Sequence, residues 1–464
     1  MSDRAPLRGR RWLRRVTVIL LVSALATGRA LAHGGSLRSA TPEELAIPTW
    51  LFLMTGGGVI GASFLLASFV TNRGFIDAVH EWHRLLSVPR ETVFALVLKL
   101  VGVVGLGAVL YFGLFGPQFP LSNLAILTVW VGWWAGYTIS VYLLGNTWEA
   151  VNPWRTLAEA LPALDAPYPE SLGAWPSVAG LLALVWLEVV SPLADQADLL
   201  ATVVLAYTVV TLTGAVVYGP ETWFSTVDPV SRVFRYYGRV APFKRTKDGL
   251  SFRLPGAALS ETRFVTGPDE IAFVIAILWV TTYDGLVTTP AWVDFATWLV
   301  GLGVPAVILY PAAILAGFAL FLGAYRLATT KSIEYAETYL PPRTLANRFA
   351  PSLLAIAAGY HLAHFLGYFL SLSPALVTVA ASPFSPPPDV PVLPLPSWFG
   401  GVNLTFVLLG HLGAIWVAHA TAYDLFPSRL QAVRSQYPYI AVMMFYTMVS
   451  LWIVAEPVLT PPFV

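Results

Sequence analysis

Cysteine is absent from the 464 residues, and charge is scarce: Asp, Glu, Lys and Arg make up 11% of the chain, against about 25% in a soluble globular protein. The first absence excludes disulfides, thiolate catalysis, Cys-ligated iron–sulfur clusters and Cys-type zinc sites, so any metal is held by His, carboxylate, Met or backbone. The second excludes an ordinary soluble domain. A net charge of +1 offers no basic excess for nucleic acid, and no nucleic-acid partner is expected. Walker loop, Rossmann glycine pattern, HExxH and nucleophile elbow are all missing.

What is there is apolar. Hydrophobic residues make up 56% of the chain, Trp occurs 17 times, and mean hydropathy is +0.68. Runs of about twenty such residues predict an all-α integral membrane fold with the lipid bilayer as its surroundings. The N-terminus reads differently. Arg4, Arg8, Arg10, Arg11, Arg14 and Arg15 precede an apolar 16–26 stretch and a small-x-small Ala30-Leu31-Ala32. That is a signal-peptide pattern over residues 1–32, leaving 33–464 as the polytopic membrane domain. Cleavage there makes His33 the first mature residue, able to offer both its amine and its imidazole to a metal.

After the signal, ten apolar spans are expected, at 47–70, 91–116, 123–145, 173–193, 199–218, 270–289, 299–326, 350–372, 400–423 and 437–455. At about 1.5 Å per residue each crosses about 30 Å of hydrocarbon. Lys and Arg crowd the loops 71–90, 147–172, 219–269, 326–349 and 424–436, while the alternate segments hold Arg38 alone. The positive-inside rule then places the mature N- and C-termini outside a plasma membrane. The long cytoplasmic loop 219–269 carries a helical pattern near Asp228–Tyr237 and a hairpin signal at Asp248-Gly249. Its basic residues either fix topology or bind anionic lipid headgroups. The outer Pro-rich loop 373–398 reads as a stiff cap, and 292–297 as an interfacial or re-entrant piece.

Only seven histidines occur, and four lie in two neighbouring spans: His361, His364, His411 and His419. On a helix, His361 and His364 share a face, with Tyr368 extending the stripe. His411 is expected at the same depth on the next, antiparallel span, and His419 in a lower layer. Three imidazoles at one level predict a transition-metal site for copper or zinc; interhelical hydrogen bonding is the alternative. Glu188 and Asp284 are intramembrane carboxylates that need partners, as fourth ligand or proton carrier. Asp284 lies in Thr281-Thr282-Tyr283-Asp284-Gly285, which suits an unwound stretch lining a cavity. His80 and His83 read as a solvated amphipathic turn, and Trp130, Trp133 and Trp134 as packing. A haem would need His361 or His364 paired with His411 as axial ligands.

The segments HGG at 33–35, NPWR at 152–155, DGLSFRLP at 248–255, TTYDGLVTTPAW at 281–292, RSQYP from Arg434 and MMFYT ending at Thr447 resemble a family of prokaryotic polytopic membrane proteins. Some of its members carry the name fenitrothion hydrolase. The resemblance implies a multi-pass architecture and, for an organophosphate hydrolase, a metal-activated water. The functions expected are transition-metal transport or delivery through the histidine site, a membrane metallohydrolase on the same ligands, or a haem- or quinone-linked redox subunit.

Overall fold

The computed structural model describes residues 49–86, 92–246, 249–261, 264–396, 398–457 and 459–462. The expected signal peptide and His33 lie outside these residues. Among the described residues the chain is helical apart from one small sheet.

Helix α1 (Thr49–Ser68) breaks sharply into the amphipathic α2 (Arg73–Glu81), 113° from it. Asn72 caps α2 by accepting from the Phe75 amide. Next come α3 (Thr92–Phe115) and α4 (Leu124–Leu144), whose middle, Leu127–Tyr137, is wound as a π-helix. Short α5 (Pro153–Glu159) leads to α6 (Trp175–Val190) and α7 (Ala197–Tyr218). Helix α8 (Pro229–Tyr237), in the loop 219–269, is capped by Asp228, which accepts from the Ser231 amide at 2.7 Å. Beyond it lie α9 (Pro268–Leu286), α10 (Pro290–Gly301) at 82° to it, α11 (Ala306–Ala336), α12 (Pro342–Phe349), α13 (Leu353–Ala381), α14 (Phe399–Leu425) and α15 (Arg429–Ala455).

Among the described residues, six helices are long and apolar enough to cross a membrane, and up to eight are if each bent pair, α1 with α2 and α9 with α10, is one span. Two expected spans are not among these. Helix α6 has 16 residues, and α15 opens on the polar run 429–436.

The core is organised around α9. Every residue from Ile271 to Val280 is buried, with α6, α11, α13 and α15 packed around it. A helix apolar on all faces belongs in such a central place. Helices α13 and α14 cross closely at Gly359 and Gly410: a Cβ on Gly359 would lie 2.5 Å from the Phe406 carbonyl oxygen and 2.8 Å from the Gly410 Cα. Only glycine permits that approach.

Helix α13 runs on to Ala381, past the expected end at 372 and through Pro374. Proline cannot donate to the Leu370 carbonyl. The Ser373 hydroxyl donates to it instead, at 3.2 Å, and the helix survives. The Pro-rich cap therefore begins only at Ser382, and it is pinned back onto α13 by Leu393 and Ser371, which exchange hydrogen bonds of 2.9 and 2.8 Å.

The expected hairpin forms as β2 (Phe243–Thr246) and β3 (Gly249–Arg253), and β1 (His83–Leu86) adds to the other edge of β3. Glu261 holds this sheet, accepting from Arg239 at 2.6 Å, Arg253 at 3.0 Å and Lys244. Arg232, only 2% exposed, reaches Tyr236 and Ser225. Much of the basic charge considered for lipid headgroups is thus spent internally. Burial alone would raise the Glu261 carboxyl, but hydrogen bonds from Lys244 and Arg253 and the Arg239 charge outweigh it and hold the group below its ordinary value. A depressed folded value means the contribution is present above the unfolded carboxylate range and is lost as pH falls through the folded one. Screening limits it to about 1 kcal/mol or less. Glu261→Gln should reproduce the acid effect at pH 8, with trypsin cutting after Lys244 and Arg245 several-fold faster; unchanged cleavage would show that the sheet is held by other contacts.

Candidate functional site

Helix α9 delivers Asp284 near its C-terminal end. The polar stretch around it is not unwound, as the sequence suggested, but helical to Leu286. Thr281 and Thr282 return their hydroxyls to the Leu278 carbonyl at 2.9 and 3.0 Å, so polar side chains are satisfied without opening the backbone. The chain breaks at 287–289 instead, where Thr289 caps α10 by accepting from the Trp292 amide and Pro290 occupies the first turn.

Asp284 is 8% exposed, and its Oδ2 lies 3.7 Å from Nε2 of His364 on α13. That is ion-pair range whenever the imidazole is protonated. Glu188 of α6 lies close enough to Asp284 for the two carboxyls to interact electrostatically. The Tyr360 hydroxyl abuts Gly285, since a Cβ there would come within 2.8 Å of it. Tyr368 has Glu188 and Asp195 as its charged neighbours. Three helices therefore bring a carboxylate pair, an imidazole and two phenols together, with Asp284, His364 and Tyr360 buried and Glu188 and Tyr368 half-buried. Tyr360 and Asp195 escaped the sequence reading because neither stands out from its neighbours; their significance is purely spatial.

The histidines separate rather than converge. Helices α13 and α14 are antiparallel, with Gly359 opposite Gly410 and Ala355 near Gly413. His411 is thereby level with Ala358, about 4.5 Å along the axis from His361 and about 9 Å from His364. The expected single layer of three is not formed. His411 turns its Nδ1 to the Val407 carbonyl of its own helix, at 2.8 Å. His361 sits in an aromatic cage of Trp134, Tyr142, Tyr237 and Phe365, with ring centroids 4.5–5.8 Å away. Among the described residues no three His, Asp or Glu side chains are grouped to hold a metal ion.

His419 joins elements: Nδ1 meets Gln436 Oε1 at 3.2 Å, and Nε2 meets the Val70 carbonyl at 3.0 Å. His419→Ala is expected to cost about 2 kcal/mol by stranding buried partners, read as a lower thermal midpoint in detergent with function retained; an unchanged midpoint would contradict the bridge. His80 is not solvated as expected: it is half-buried on α2 beside Trp416, with ring centroids 6.4 Å apart, whereas His83 is exposed in β1.

Comparison with known proteins yields no matching family model, no matching curated protein and no matching solved structure.

Proposed function

We propose that the chain is a multi-pass membrane transporter in which Asp284, His364 and Glu188 take up and release protons as a cargo crosses. One observation carries this reading: the 3.7 Å approach of His364 to Asp284 inside the bundle, beside a second carboxyl. Ionisable side chains at such depth are expensive, and a chain that keeps three together has a use for their protonation. In this reading all ten apolar stretches span the plasma membrane, the basic loops lie in the cytoplasm, and the site sits toward the outer side. Helix α6 crosses as a short span, and α15 does so beyond its polar first turns.

Transition-metal handling, with copper or zinc as cargo, is the second reading. It is favoured by both ring nitrogens of His361 and by Nε2 of His411, which are buried without a hydrogen-bond partner and are good donors to such ions. As arranged, these donors do not fit a resident metal. The test is a proteoliposome assay with a pH-sensitive dye inside and an imposed pH gradient, run with and without Cu(I) or Zn(II). Proton movement above that of empty vesicles supports the first reading, and metal-dependent movement supports both together. Vesicles as inert as empty ones sink the proposal.

A further inference from the structure

Helix α2 carries three separate stripes. At about 3.6 residues per turn, Ile76 falls with His80, Asp77 with Glu81, and Phe75 with Ala78, Val79 and Trp82. The first stripe meets the protein: Ile76 is buried, and His80 lies beside Trp416 of α14. The second is acidic and exposed. The third is apolar yet largely uncovered, with Phe75 54% and Trp82 40% exposed, and together with Leu254 it lines one shallow groove. Water is a poor neighbour for such a stripe.

Contacts along α14 show how deep the helix lies. The carbonyl of Val70, just before α2, meets His419 at 3.0 Å, whereas His80, near the end of α2, lies beside Trp416. Arg73, at the start, donates to the Pro427 carbonyl at 2.8 Å, beyond the end of α14. Helix α2 therefore runs inward along α14, in keeping with a bend of 113° from α1, more than a right angle. Crossing the hydrocarbon takes about twenty residues, and α14 has 27, which leaves about seven to protrude. Even with all of those at this end, Trp416 stays within the hydrocarbon, because it lies nine residues before Leu425.

We propose that α2 is an in-plane membrane helix: acyl chains of the bilayer cover Phe75, Ala78, Val79 and Trp82, while Asp77 and Glu81 face the headgroup layer. Phe69, 82% exposed at the end of α1, is separated from Arg73 by three residues, so lipid around the end of α1 reaches α2 as well. Trp82 suits that boundary, having an apolar ring and a polar N–H. The Arg84 guanidinium lies 5.9 Å over its ring, where a headgroup phosphate can pair with it. This segment is then no solvated loop but part of the surface that the bilayer holds. The proposal rests on α1 and α14 crossing the bilayer and is independent of proton movement.

The absence of cysteine supplies the test, since one nitroxide can be attached at any chosen position. Ala78→Cys, Asp77→Cys and, on α1, Leu65→Cys are spin-labelled separately and reconstituted in phosphatidylcholine vesicles. Collision with oxygen, which concentrates in hydrocarbon, is compared with collision with a water-soluble nickel chelate. The oxygen-to-nickel ratio is expected to be high at Leu65 and Ala78 and several-fold lower at Asp77. Phe75→Cys reports on the same stripe and carries the test if Ala78→Cys does not fold. A ratio at Ala78 as low as that at Asp77 puts the stripe in water. Exclusion of both reagents there puts it beneath a second copy or another protein segment. Either result overturns the proposal. A low ratio at Leu65 shows that α1 does not cross, and the proposal then falls with its premise, whatever the protein does with protons.

Discussion

Proteoliposomes carrying Asp284→Asn are expected to lose proton movement by at least about tenfold. Asparagine keeps the shape of the side chain but cannot exchange a proton, and it leaves His364 without the carboxylate that lies 3.7 Å away. His364→Gln should be nearly as damaging. The double variant should be little worse than either single one, because groups that act as a unit lose their effect together. A structural role would predict something different. Neutralising a buried carboxylate removes a desolvation penalty, so Asp284→Asn should melt no lower than the wild type while losing function. A well-folded variant with undiminished flux would end the proposal.

The largest loss of stability is expected for Gly359→Ala. The added methyl would sit 2.5 Å from the Phe406 carbonyl oxygen and 2.8 Å from the Gly410 Cα. Both are backbone atoms, so no side chain can swing aside, and α13 and α14 must separate. Overpacking of this kind costs about 3 kcal/mol at the upper end of its usual range. The reciprocal Gly410→Ala meets the Ala355 carbonyl oxygen at 2.6 Å and should behave alike, with the pair clearly non-additive. The readout is the thermal midpoint of detergent-purified protein. Midpoints within error of the wild type would mean that the two helices do not approach as closely as described.

Helix positions were largely legible because apolar runs dominate them: each stretch expected to span coincides at least in part with a helix. The errors fell where local chemistry has two solutions. Pro374 reads as a stop, yet a serine beside it replaces the lost hydrogen bond. Thr281 and Thr282 read as a break, yet threonine hydroxyls fold back onto the same helix. The site was legible in its parts and not in its arrangement. Asp284, Glu188 and His364 announce themselves as polar groups in apolar company, but which imidazole faces which carboxylate depends on how α9, α6 and α13 pack against one another. Gly359 and Gly410, beside His361 and His411, are the sequence's own sign of the close α13–α14 crossing.

Burial of α9 on every side bears on how the protein responds to its bilayer. Helices such as α3 and α7, which turn exposed apolar flanks outward, must tilt or stretch when hydrocarbon thickness changes, at a fraction of a kcal/mol per ångström of mismatch. Helix α9 touches protein alone along its middle, so its height is set by its neighbours and not by lipid. Asp284 therefore rides on a depth gauge fixed within the bundle. Activity should stay flat as acyl chains are shortened or lengthened, while the midpoint of unfolding moves with them.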